Sequence, residues 1–284
     1  MKTIKYLLPI LCLVLTLASC STEEDDDIFV ENPVADLLLV KSITGNDHTI
    51  EIYGADNEFT IGYNELSVRI KDNATNTYFE NPTINWTPMM HMTSMMHSCP
   101  KSAMSISEFP TVAKGFIIFQ MPGNDTEYWD LKFNYEVDGT AYEAMDTIDV
   151  LAPADGMKRV NSFMASDNSR YVLAMVGPSS PDVMINDFTA ALYKMENMMT
   201  FTPVADYMIS VDPRMPGMGN HSSPNNEDLT YNSATQMYDG KLSLTMTGYW
   251  RVNLMLYNED GDVLKGETVT DTNPESSLYF DFEF

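Results

Sequence analysis

Phe133-Asn134-Tyr135-Glu136-Val137-Asp138-Gly139-Thr140-Ala141-Tyr142 alternates apolar and polar side chains, breaks at Asp138-Gly139 and resumes. A period of two, with Phe133, Tyr135 and Val137 on one face, marks a half-buried strand. Asp-Gly feeding a second extended run is a hairpin turn, because both central positions of such a turn need positive φ. Glu65 to Lys71 alternates in the same way, with Leu66, Val68 and Ile70 together. No segment shows a convincing long amphipathic helix, so the chain reads as all-β.

What surrounds this hairpin recurs later. Lys114-Gly115-Phe116-Ile117-Ile118-Phe119-Gln120-Met121 precedes Tyr128-Trp129-Asp130-Leu131-Lys132-Phe133, and Asp239-Gly240-Lys241-Leu242-Ser243-Leu244-Thr245-Met246 precedes Tyr249-Trp250-Arg251-Val252-Asn253-Leu254. Leu254 and Leu256 then lead to Glu259-Asp260-Gly261, as the first copy leads to Asp138-Gly139. Upstream stand Trp86-Thr87-Pro88-Met89-Met90-His91-Met92-Thr93-Ser94-Met95-Met96-His97-Ser98-Cys99-Pro100 and Val211-Asp212-Pro213-Arg214-Met215-Pro216-Gly217-Met218-Gly219-Asn220-His221-Ser222-Ser223-Pro224. Rare landmarks in one order, at nearly one spacing, indicate a tandem duplication. Strands at this spacing predict two tandem immunoglobulin-like β-sandwich domains of about 110 residues each. The expected boundaries are 35–151 and 157–284, joined by Ala152-Pro153-Ala154-Asp155-Gly156.

The N-terminus reads as an address. Lys2 and Lys5 precede an uncharged apolar stretch, Tyr6 to Leu17, too short to span a bilayer comfortably. Leu17-Ala18-Ser19-Cys20 has the shape of a lipobox, which makes residues 1–19 a lipoprotein signal peptide and Cys20 the lipidated residue. Residues 20–34 form an acidic tether, since five consecutive carboxylates from Glu23 to Asp27 repel one another and cannot pack. The run resembles the acidic surface-export signals of Bacteroidetes lipoproteins. The expected location is the outer membrane, on its periplasmic or cell-surface face.

Charge narrows the partners. Losing Lys2 and Lys5 takes the formal −25 to about −27, which leaves no basic patch for nucleic acid or anionic lipid. The expected membrane contact is therefore the lipid anchor itself. Cys12 lies in the signal and Cys20 carries lipid, so Cys99 is alone and no internal disulfide is expected. No nucleophile motif and no His-x-x-x-His signature is present, and the chain is read as no enzyme.

Methionine is the anomaly, with 22 in the chain, many of them clustered beside histidine. Thioethers are soft neutral ligands for Cu(I), and imidazole serves copper and zinc alike. A thioether also binds without deprotonation, where a thiolate would oxidise. The expected cofactor is therefore copper, as Cu(I), ahead of zinc. In the second copy Met215, Met218 and His221 are spaced by three, which a turn can converge on one ion. In the first, Met90, His91, Met92, Met95 and His97 lead a group with more donors than one site uses, and the sequence leaves the subset open. Met121 and Met246 stand one strand away and either close the sites or pack. Cys99 faces Ser223 in the alignment and is optional. Met164, Met175 and Met195 read as core filler, the three tryptophans as core, and His48 as a residue without a partner.

Pro-x-Met-x-x-Met-x-x-His-Ser-x-Pro, followed by Gly-x-Leu-x-Leu-x-Met-x-Gly-x-Trp-x-Val, resembles the YtkA-like domain family. The resemblance implies small immunoglobulin-like sandwiches of exported, often lipidated proteins near copper or cytochrome oxidase functions. Carried over, it points to Met215, Met218 and His221, and to Met90, His91, Met95 and His97 in the first copy. The first copy departs by its extra methionines, Cys99 and four residues inserted before Trp129. The function expected is copper capture, storage or handover at the cell envelope, with a copper-handling or envelope protein as partner. The competing expectation is a surface interaction module whose methionine loops contact a partner protein without metal.

Overall fold

The computed structural model describes residues 32–284; the expected signal peptide, the expected lipidation at Cys20 and the expected tether up to residue 31 lie outside the described residues. The main strands of the first half are β1 (Leu38–Gly45), β2 (His48–Gly54), β3 (Gly62–Asp72), β4 (Thr83–His91), β5 (Met96–His97), β6 (Ala113–Phe119), β7 (Tyr128–Val137) and β8 (Thr140–Ile148). They form two sheets, in the orders β1-β2-β3-β6, with the two-residue strand Ser105–Ile106 beyond β6, and β8-β7-β4-β5; the short strands Phe59–Thr60 and Val150–Leu151 pair in parallel beside them. Consecutive strands that pair within a sheet, then cross to the other, give the immunoglobulin-type sandwich. The alternation at Phe133–Tyr142 is the β7–β8 hairpin, with Asp138 at φ 50° and Gly139 at φ 74°.

The second half repeats the plan with β9 (Val160–Met164), β10 (Arg170–Gly177), β11 (Ile185–Asn197), β12 (Met208–Met215), β13 (His221–Ser222), β14 (Glu227–Asn232), β15 (Met237–Ser243), β16 (Tyr249–Tyr257) and β17 (Leu278–Glu283). One layer is β9-β10-β11-β15 and the other β17-β16-β12-β13. Here β14 pairs with both β15 and β12, so the layers join at that edge into one continuous sheet.

Equivalent residues do the same work in both copies. Trp129 and Trp250 are fully buried, and each indole N–H donates to the carbonyl of the preceding methionine, Met121 at 3.1 Å and Met246 at 3.0 Å. Asn64 and Asn186 each fold back on the strand entry. Asn64 donates to the Thr60 and Gly62 carbonyls, and Asn186 donates to those of Asp182 and Met184. Gly115 and Gly240 share a strand position where a Cβ would strike the Trp86 ring at 2.9 Å or the Glu227 carbonyl at 2.6 Å. The duplicated pattern in the sequence is thus a duplicated topology.

Each half has its own core. Ile43, Val68, Trp86, Phe119, Trp129 and Phe133 fill the first, and Tyr171, Phe188, Leu242, Trp250, Val252 and Phe280 the second. A smaller apolar cluster joins them, with Ile118 of β6 against Val172, Ala174, Ala191 and Tyr193 of β10 and β11. Residues 33–284 accordingly form one compact unit. Ala152–Gly156 lies between the last strand of the first half and β9. No helix among the described residues is long and apolar enough to cross a membrane.

Candidate functional site

Strand parity sorts the first loop into two rows. Residues directly opposite in an antiparallel pair share a face, and successive rows alternate faces. His97, Met90 and Trp129 form one row across β5, β4 and β7, and Met96, His91 and Tyr128 form the next. The first row faces inward: Met90 is fully buried in the core and His97 sits beside the Trp129 ring, edge-on at 5.6 Å. The second row faces out. His91 Nε2 bonds the Asp130 carboxylate, and the ring stacks on Tyr128 at 4.7 Å. His91 and His97 therefore lie on opposite faces of the sheet, and Asp130 holds the Nε2 of His91.

His97 is held differently. It is 9% exposed, and its Nδ1 lies 2.8 Å from the Ser98 carbonyl oxygen. A carbonyl only accepts, so Nδ1 donates, and Nε2 is the ring nitrogen left to offer a lone pair. Hydrogen bonding of one ring nitrogen to a backbone carbonyl is the usual way a ligating imidazole is oriented. Ser98 is fixed in turn, with its hydroxyl donating to the Pro88 carbonyl at 2.8 Å.

Beside His97 lies a hollow of about 350 Å³, lined by Met92, Met95, His97, Gln120, Met121, Ser162, Arg170, Met195 and Met198. The main chain shapes its near wall, where the Met92 N–H donates to the Met95 carbonyl at 2.9 Å and closes the turn after β4. Met92 and Met121 are half-buried against the first core, while Met95 is exposed. Five thioethers and one oriented imidazole in one hollow form a soft, uncharged donor set.

In the second copy Met215 and His221 face each other across β12 and β13, as Met90 and His97 do in the first. Met215 turns into the second core, whereas Met218, on a short 3-10 turn between them, is 60% exposed and His221 is exposed. The loop is held by Arg214, whose guanidinium binds Asp212 at 2.7 Å, and by Asn220, which donates to the Pro274 carbonyl. Its three expected ligands thus divide between core and solvent.

Other expectations shift. Cys99 is packed in the first core, and burial pushes its thiol well above the ordinary value, so it offers no thiolate. Met175 is core, as expected of filler, but Met164 is 52% exposed and Met195 lines the hollow. His48 does have a partner, the Tyr135 hydroxyl at 3.2 Å, and packs edge-on against Phe79 and Tyr142. Among the described residues no group of three or more His, Cys, Asp or Glu side chains is placed to hold a metal.

No model of a known protein family matches the chain, and no curated protein matches it. Among solved structures it is similar to the Escherichia coli adhesin FdeC, at 13% identity and TM-score 0.26, covering 86% of this chain and 65% of that one. It is also similar to a DUF4785 family protein from Legionella pneumophila, at 8% identity and TM-score 0.25, covering 77% and 54%. For titin immunoglobulin tandem domains the figures are 13% identity, TM-score 0.18, and 72% and 89% coverage. The chain spans less than two thirds of the first two. At such TM-scores these likenesses carry no argument, and the sandwich assignment rests on the strand pairing of the chain itself.

Proposed function

We propose that the chain is a cell-envelope lipoprotein that binds copper, as Cu(I), through the methionine and histidine side chains of its first loop. The observation that carries this reading is the hollow in which Met92, Met95 and Met121 gather around the oriented imidazole of His97. Thioethers neither donate nor accept protons in catalysis, so the donor set supports a binding role in capture, storage or handover over an enzyme. Lipidation at Cys20 and attachment to the outer membrane belong to the same proposal and rest on the lipobox. The resemblance to YtkA-like domains rests on the Met/His motif.

The test is an anaerobic Cu(I) titration of the chain from residue 21 onward against a competing chromophoric chelator. His97→Ala is expected to weaken uptake by at least about tenfold, since outer-shell losses alone reach that size. His221→Ala, altering an exposed side chain, is expected to weaken it less. Absence of any competition by the unaltered chain would sink the copper reading.

A second reading has its own observation. Met95, Met96, Met198 and Met199 are each between 45% and 49% exposed, an adaptable apolar surface suited to a protein partner. It predicts no metal uptake and a partner lost when these residues are replaced by serine.

A further inference from the structure

We infer that the copper site is shared between the two halves, with Met195 and Met198 of the second sandwich supplying thioethers to the ion that His97, Met92 and Met95 hold from the first. The inference rests on the copper reading and names the donors that complete its coordination.

Ser98 is the pivot. Its carbonyl accepts from His97 Nδ1, and its N–H donates to the Met198 carbonyl at 2.8 Å. One residue of the first half thus aims the imidazole through its carbonyl and docks the methionine turn of the second through its N–H. Consecutive Cα atoms are 3.8 Å apart, so this bond holds the Met198 main chain within a residue of the proposed ligand. The turn is shaped to stay there: the Asn197 side chain accepts from the Met199 N–H at 2.8 Å, and β11 pairs with Thr200–Pro203 beyond it. Met195 stands on β11 opposite both Arg170 and Phe201, and its half-buried side chain faces the hollow from the far wall.

Charge selects the guest. Every donor named is neutral, and the exposed Arg170 guanidinium lines the same rim. Without a carboxylate or thiolate to offset it, a divalent ion meets net repulsion there, while a soft monovalent ion recovers most from polarisable sulfur. One Cu(I) on an imidazole and two or three thioethers fits this wall better than zinc or Cu(II). Among the described residues no second sandwich lies against the loop of the second copy, and Met218 remains in solvent.

The decisive comparison is Cu(I) affinity and Cu(I)-induced thermal stabilisation for the unaltered chain, Met195→Leu/Met198→Leu, Met198→Leu alone and His97→Ala. Leucine conserves volume and removes sulfur, and Met198 is 45% exposed, so the single variant leaves the packing in place. The double variant is expected to lose at least about tenfold in affinity and most of the copper-induced rise in melting temperature, with its metal-free melting temperature unchanged. Unaltered affinity in both methionine variants, alongside collapse in His97→Ala, would overturn the shared site and leave copper binding to the first half alone. No Cu(I) competition by the unaltered chain would remove the copper reading and this inference together.

Discussion

In the first half the Met90–His97 strand pair runs into a loop whose open side is covered by the Asn197–Thr200 turn of the second half; in the second, the equivalent Met215–His221 pair opens onto solvent. The scaffolds beneath share their indole and asparagine hydrogen bonds. The difference lies in the neighbour. The outer sheet faces teach the same lesson. Glu51 and Arg69 pair across β2 and β3 at the positions where β10 and β11 carry Ala174 and Ala191. The alanines are apolar because they lie against the first half, while Glu51 gathers Tyr53, Tyr78 and Lys71 on a face that no second copy covers. Duplication preserved the cores and left surfaces and loops to follow what packs on them.

The sharpest way to break this equivalence is at the tryptophans. Trp129→Ala and Trp250→Ala should each cost about 3–5 kcal/mol in urea unfolding, because each empties a fully buried site and orphans a carbonyl. A cost below about 1 kcal/mol in either would show that the copies do not share one core logic. Next come Asn64→Ala and Asn186→Ala, each expected to lose about 1–3 kcal/mol by the same measurement, since two backbone acceptors lose their donor at each strand entry. Unequal losses would locate a real divergence between the copies.

The smallest effect is a slope with pH. Burial draws the Glu51 carboxyl upward, but hydrogen bonds from Tyr53, Tyr78 and Lys71 outweigh it and hold the group below the usual carboxylate range. A lowered folded-state value stabilises the fold fully above the unfolded carboxyl's range and loses that contribution as pH falls through the folded value. Glu51→Gln should therefore flatten the acid limb of stability measured by urea melts between neutral pH and about pH 3. An unchanged slope would mean that the network contributes nothing to the polarity of that face.

Much of this was legible beforehand. Asp138-Gly139 announced its hairpin because only a turn with positive φ at both residues suits that pair there. The His-Ser-x-Pro and Met-then-Tyr-Trp landmarks, in one order, announced the duplication, and each methionine carbonyl takes the indole N–H of its tryptophan although four extra residues separate the pair in the first copy. Met195 was not legible. In sequence it is an isolated methionine on an alternating strand, and what makes it a wall of the hollow is a loop about a hundred residues earlier. His91 misled for the opposite reason: a run rich in donors hides that strand parity sends neighbours to opposite faces, and Asp130, thirty-nine residues away, takes His91.

The burial of Cys99 carries a consequence for oxidative stress. With its thiol enclosed and neutral, the sulfurs open to an oxidant at the mouth of the hollow are the exposed thioethers of Met95 and Met198. Conversion to the sulfoxide turns a soft sulfur into a polar, hard oxygen donor, so oxidative damage would close the proposed copper site while the fold beneath stays intact, and methionine sulfoxide reduction would be the chemistry that reopens it.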